Sequence, residues 1–194
     1  MLRMYLEQNP RYHQASRLAR NNSRGGLWLI GGTVFRTLAH LMYGTPLGHS
    51  PTGEATPKKV DFDFIVGSTP EALHIDSDWA IKTNSYGNRK FTFGEESIDV
   101  IPIATTSSVI RRKVVPTIEN FLDGAPFTIQ KIALNCLDWR LVDRGGIEAL
   151  LNQEVKVNDL DEALTVSAKK CRPIPEIMVQ LAHDLKFKCI GGDA

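Results

Sequence analysis

The chain has 194 residues, 42% hydrophobic and 23% charged, which suits one ordinary globular domain and excludes a disordered or fibrous chain. Twenty-three basic residues against 22 acidic ones leave a net charge of +1, so any attraction for nucleic acid must come from local patches. The N-terminal stretch MLRMYLEQNPRYHQ lacks the apolar core of a signal peptide and no apolar run approaches bilayer-spanning length, so no membrane is expected and a cytoplasmic setting is implied.

Residues 9–21 carry helix formers and read as a helix, which NNSRGG then breaks. LWLI (27–30) is a short apolar run bounded by glycine, the pattern of a strand buried on both faces. Gly31, Gly32 and Thr33 come next, and then Val34, Phe35, Leu38, Leu41 and Met42 at helical spacing, so strand, glycine turn and helix stand in direct succession. Residues 43–59 read as a long exposed loop that moves. In VDFDFIV (60–66), alternation puts Val60, Phe62, Phe64 and Val66 on one face of a strand and Asp61 and Asp63 on the other. Ser68 or Thr69, followed by Pro70, Glu71 and Ala72, has the chemistry of a helix start.

After a turn around 84–88, RKFTF and SIDVIPI form alternating runs joined at 94–96, the signature of an antiparallel hairpin whose second strand carries Asp99. A polar and basic link separates this hairpin from the C-terminal third. TIENFLDG, PFTIQKIALNCLDW and GGIEALLNQ then read as helices, and PEIMVQLAHDLKF as a final amphipathic one. Residues 1–160 are expected to form the main domain and 161–194 a short C-terminal helical extension. Cys136, Cys171 and Cys189 show neither disulfide nor zinc spacing and read as free thiols, and the five scattered histidines suggest no general base.

Asp61 and Asp63 at i and i+2 of one strand, with Asp99 from a neighbouring strand, make a set suited to hard divalent cations. Mg²⁺ ions held roughly 3.5–4 Å apart by such carboxylates serve phosphoryl transfer by neutralising phosphate charge. Gly31 and Gly32 let backbone approach a phosphate closely at a helix N-terminus, and Thr33 adds a hydroxyl. Each feature has a plainer alternative: a tight strand-to-helix connection for the glycines, the wet face of an edge strand for Asp61 and Asp63, and turn surface for Asp99, where Glu95 or Glu96 could substitute. The apolar flanks of Asp61 and Asp63 favour a buried sheet position, where acids need a cation partner.

In this order the residues resemble the head domain of the tRNA CCA-adding enzymes and bacterial poly(A) polymerases, within the DNA polymerase beta-like nucleotidyltransferase superfamily. LWLIGGTVFR is similar to that family's strand, GG and helix. VDFDFIVGSTPEAL resembles its DxD strand and small helix, and RKFTFGEESIDVIPIA its hairpin. The segment TIENFLDGAPFTIQKIALNCLDWRLVDRGGIEALL is similar to the family's leucine-rich helix, DFTINA motif and GG-initiated helix, so the likeness spans roughly residues 27–158. It implies an α/β (α+β) fold with a mixed sheet backed by helices, and an NTP between the GG turn and the acids. It further implies Mg²⁺ on Asp61, Asp63 and Asp99, and transfer of NMP to a hydroxyl, with a tRNA-like RNA 3′ end as acceptor.

Departures are specific. Phe35 precedes Arg36 and no acid follows, so Arg36 is a candidate phosphate contact outside the family's Arg-Asp pattern. Ala125 and Pro126 stand where the family has Arg-Asp, and Gln130 replaces an Asn. The last helix offers Gln180 and aliphatics in place of the base-templating residues. The expectation is therefore a minimal transferase with a different acceptor, or one that works with a protein partner supplying neck and body domains. The alternatives are nucleotidylation of a protein or small molecule, and a non-catalytic, antitoxin-like nucleotide-binding module. Lys58, Lys59, Arg111, Arg112 and Lys113 could hold phosphates or an RNA backbone, or be solvated loop charge.

Overall fold

The computed structural model describes residues 1–47, 61–75, 79–84, 87–94 and 96–191. Lys58, Lys59, Val60, Glu95 and the 43–59 loop beyond residue 47 lie outside the described residues. Two helices open the chain, α1 (Leu2–Glu7) and α2 (Pro10–Asn21). The Asn9 side chain accepts from the Arg11 and Tyr12 amides at 3.0 and 3.4 Å, capping α2 ahead of Pro10. Then come β1 (Arg24–Ile30), α3 (Gly32–Tyr43), β2 (Asp61–Ser68), β3 (Ala80–Thr83), β4 (Arg89–Phe93), β5 (Glu96–Pro102), α4 (Ser107–Arg112) and α5 (Ile118–Asp123). A 3-10 turn at Thr128–Gln130 leads into β6 (Ile132–Asn135), β7 (Leu141–Asp143), α6 (Gly146–Leu151), β8 (Glu154–Val155), α7 (Leu160–Lys170), α8 (Ile174–Leu185) and β9 (Lys188–Cys189).

Among the described residues seven strands form one mixed sheet in the order β3-β4-β5-β2-β1-β6-β7, with β2 and β5 parallel and the other neighbours antiparallel. The fold is thus the mixed sheet backed by helices that the resemblance implies. Period-two alternation divides it into two apolar faces. Leu27, Leu29, Phe62, Phe64, Val66, Ile98 and Val100 join a large core with α1, α2, α3, α6 and α8. The intervening Trp28, Ile30, Ile65, Ile101 and Ala133 face the other way, against Ile118, Phe121 and Leu122 of α5 and Ile103. Ile177, Met178, Leu181 and Leu185 bury one stripe of α8 in the first core, and β9 pairs in parallel with β8.

Three local expectations give way. Residues 126–139 are not a helix: Ile132, Ala133 and Leu134 are all buried and form strand β6 between β1 and β7. A wholly apolar run carries no period, so tertiary pairing decides its state. The Thr69–Pro70–Glu71 start opens no helix among the described residues; β2 runs on to Ser68, and residues 69–75 form a loop. Fully buried Asn22 holds that loop, its Nδ2 donating to the His74 carbonyl at 2.7 Å and its Oδ1 accepting from the His74 amide at 2.9 Å. The His74 backbone is thereby withheld from helical bonding. Part of the basic link, finally, is helix α4.

Asn22→Ala should destabilise the protein by about 1–3 kcal/mol, since it leaves the amide and carbonyl of His74 without their partner. A lower urea midpoint and faster hydrogen exchange at the His74 amide are the expected readings; an unchanged midpoint would make the tether incidental.

Candidate active site

The register of β2 against β5 pairs Asp61 with Ser97 and Asp63 with Asp99, while β4 places Lys90 opposite Asp99. Ile30, Asp63, Asp99, Lys90 and Lys82 therefore form one row across five strands. Asp61, Asp63 and Asp99 share the face that carries Ile65 and Ile101 further along. Its apolar half packs against the second core, and Asp63 lines a cleft beside it. The three expected acids are thus brought together on one side of the sheet.

Charges concentrated in this way must be answered. Lys90 Nζ lies 2.9 Å from Asp99 Oδ2 and 3.9 Å from Asp61 Oδ1. Asn84 donates to Asp99 Oδ1 at 2.8 Å, and the Ser97 hydroxyl donates to Asp61. Burial works against the Lys90 ammonium, but its bond to Asp99 and the charges of Asp99, Asp61 and Asp63 outweigh it and hold its pKa above the usual lysine value. Asp63 shows the opposite imbalance. Burial first, then repulsion from Asp99 and Asp61, push its carboxyl up to about 7, with Lys90 only partly offsetting them.

Among the described residues no group of three acids, histidines or cysteines is arranged to hold a metal ion. Asp61 and Asp63 nevertheless fit a divalent cation: they are hard oxygen donors on one face, and the raised Asp63 pKa marks a site short of positive charge. Asp99 is turned toward Lys90 and Asn84. Sequence reasoning missed Lys90, although the signal was present. Once the turn at Gly94 closes Phe93 against Glu96, counting back along the hairpin puts Lys90 beside Asp99.

Gly31 is demanded twice over. Its backbone at φ 70°, ψ −150° suits only glycine, and a Cβ there would stand 3.1 Å from Asp63 Oδ2. The acid therefore lies directly against the bend. Gly32 opens α3, where a Cβ would make only ordinary contact with Arg36 Nε at 3.7 Å. The protein's own packing does not require that glycine. Thr33 donates its hydroxyl to the Asp61 carbonyl at 3.1 Å, tying the start of α3 to the start of β2. Arg36 Nη2 pairs with Asp184 of α8 at 2.9 Å, while Nη1 is buried with no hydrogen-bond partner among the described residues. Arg111 is held by Asp159 and Asp161 at 2.6 and 2.7 Å, and Arg112 donates to the Asn120 carbonyl at 2.6 Å. Burial pushes the Cys136 thiol up to about 11, far from a reactive thiolate.

From Gly31 and Asp63 a cleft of about 260 Å³ runs over Ile30, Ile65 and Ile101 toward α4, α5 and α7. Gln130 and Glu162 line its far part.

No protein-family model and no curated protein sequence matches the chain. Its fold does match solved structures. A CCA-adding enzyme in complex with CTP aligns with a TM-score of 0.58 at 16% identity, covering 97% of this chain and 43% of that one. The Thermotoga maritima CCA-adding enzyme complexed with tRNA gives 0.50 at 14% identity over 94% of this chain and 40% of that one. A CCA-adding enzyme with ATP gives 0.50 at 16% identity over the same shares. The chain has the fold of the nucleotidyltransferase head found in those enzymes and spans less than half their length.

The Asp63 shift sets a sign for stability. Its folded pKa of about 7 lies above the ordinary 3.8, so the folded state binds the extra proton and loses stability as pH rises between those values. In metal-free buffer, Asp63→Asn should melt above the wild type at pH 8, by about 2–4 °C for each kcal/mol relieved. The gap should close as pH falls toward 4; a gap indifferent to pH in calorimetry would mean that charge at Asp63 is not its source.

Proposed function

We propose that the chain is a nucleotidyltransferase that moves a nucleoside monophosphate from an NTP to a hydroxyl group, with Mg²⁺ held by Asp61 and Asp63. The observation that carries this reading is the contact between the Asp63 carboxylate and the Gly31 bend. It sets the strongest concentration of negative charge beside backbone that a phosphate can approach. The Gly32 and Thr33 N–H groups precede the first helical bond of α3, from the Val34 N–H to the Gly31 carbonyl at 3.1 Å, and meet the triphosphate, and Gly32, which packing leaves free to carry a side chain, is glycine so that this approach stays open.

Bound Mg²⁺ would supply charge neutralisation for the phosphates and polarise the α-phosphoryl group. The chain's own residues do the rest. Thr33 keeps α3 and β2 in register, so that phosphate site and acids cannot drift apart. Asp99, fixed by Asn84 and Lys90, assists at the third corner, and the Lys90 ammonium adds a fixed positive charge beside Asp61. The acceptor hydroxyl gives its proton to Asp99 as its oxygen bonds to the α-phosphorus, the bond to the bridging oxygen breaks and pyrophosphate leaves. Arg36 reaches back along α3 toward Gly32 and steadies the phosphate end while paired with Asp184.

For the acceptor, the shared fold favours an RNA 3′ end, as the tRNA in the Thermotoga maritima complex suggests. One observation favours a second reading, a protein or small-molecule hydroxyl. Arg111 and Arg112 are occupied inside the molecule and offer little to an RNA backbone.

Incubation with each labelled NTP, Mg²⁺ and either total RNA or a protein and metabolite pool tests both. Label should transfer, and Asp61→Ala or Asp63→Ala should reduce the rate at least ~100-fold, about 2.7 kcal/mol of transition-state stabilisation. Label in RNA supports the first acceptor and label elsewhere the second. Nucleotide binding without transfer to anything would leave a non-catalytic binding module.

A further inference from the structure

The acidic face carries a cation of its own. Cross-strand register sets Lys90 directly opposite Asp99, and Lys82 stands opposite Lys90 on its other side. Side chains paired in this way share a face, and like charges side by side repel, so the Lys90 ammonium is driven toward the acids. It reaches two of them, Asp99 Oδ2 at 2.9 Å and Asp61 Oδ1 at 3.9 Å. The Lys90 side chain is only 22% exposed, and Asn84 donates to Asp99 Oδ1 at 2.8 Å, so both oxygens of Asp99 are engaged within the protein.

This arrangement divides the three carboxylates unequally. Asp61 and Asp99 already share one positive charge, whereas Asp63 lies against the Gly31 bend. Two divalent cations roughly 3.5–4 Å apart need carboxylates that reach both of them. An ammonium resting on two of the three acids repels a dication at that range, even with the screening found near a protein surface. The lone pairs left on Asp99 can take a proton from a neutral hydroxyl, but a second ion there would have to displace Lys90.

We propose that Lys90 replaces one of the two divalent cations that such a set of acids would otherwise gather, so that the protein by itself holds a single ion, on Asp61 and Asp63. The inference rests on the reading that these two acids bind Mg²⁺, and it deepens that reading: Asp99 is a proton acceptor held in place by Lys90 rather than a metal ligand. Three carboxylates and one ammonium leave two formal negative charges, which one divalent ion balances.

The test is titration of Mn²⁺, without nucleotide, into the intact metal-free chain, with free Mn²⁺ followed by its paramagnetic resonance signal. A variant carrying both Asp61→Ala and Asp63→Ala gives the background to subtract. The wild type should bind a single ion above it. Lys90→Met, which keeps the stem and removes the charge, should take up a second ion or bind the first at least ~10-fold more tightly. Lys90→Arg, which keeps the charge, should behave as the wild type. Lys90→Gln, which can still donate to Asp99, takes the place of Lys90→Met if that variant does not fold. Two ions on the wild type, or no gain in number or affinity when the Lys90 charge is gone, overturns the inference while leaving the metal site on Asp61 and Asp63 intact. Binding no greater than background in the wild type and in the uncharged variants overturns the underlying reading as well.

Discussion

The parallel pairing of β2 with β5 governs the rest of the structure. Parallel neighbours bring Asp63 beside Asp99 and Asp61 beside Ser97, so acids 36 or more residues apart in the chain crowd one side of the sheet. That side cannot be closed with apolar helices along its whole length, because unpaired carboxylates are too costly to bury. Helix α5 packs over the half that bears Ile65 and Ile101, and Asp63 is the acid of the three that lines the cleft there.

Lys90 shows how far the protein itself goes toward answering that charge. It sits in the acidic row by register, bonded to Asp99 and within reach of Asp61, yet Asp63 remains pushed up to about 7. One ammonium therefore settles two corners of the cluster and leaves the third, which is the corner that touches the Gly31 bend. The residual imbalance lies where the proposed triphosphate and its counter-cation would be received, and a local loss of stability of this kind is usual at functional sites.

Much of this was legible in the residues because it rests on short-range rules. Alternation in 61–66 put Asp61 and Asp63 on one face, the glycines at 31 and 32 marked a strand-to-helix bend, and the hairpin spacing placed Asp99. What escaped depends on contacts distant in sequence. Ile132, Ala133 and Leu134 are apolar without a period, and only the openings beside β1 and β7 make them a strand. Pro70 and Glu71 carry a helix-start signal that the Asn22 tether on His74 overrides. Glu162 enters the cleft from α7 across 55 residues to Ser107, and nothing local announces it.

The last two helices bear on the site through such distant contacts. Asp184 of α8 holds Arg36, Asp159 and Asp161 at the start of α7 hold Arg111 of α4, and Glu162 holds Ser107. Each contact joins the C-terminal part to an element that borders the bend or the cleft. Surface ion pairs contribute little to stability by themselves, but the Ser107–Glu162 bond is part-buried, with Glu162 itself buried. A shift of α7 would carry Glu162 out of the cleft and free the first turn of α4. The wall opposite Asp63 therefore owes its position to residues from the far end of the chain, so the width of the cleft and the packing of that end are not independent.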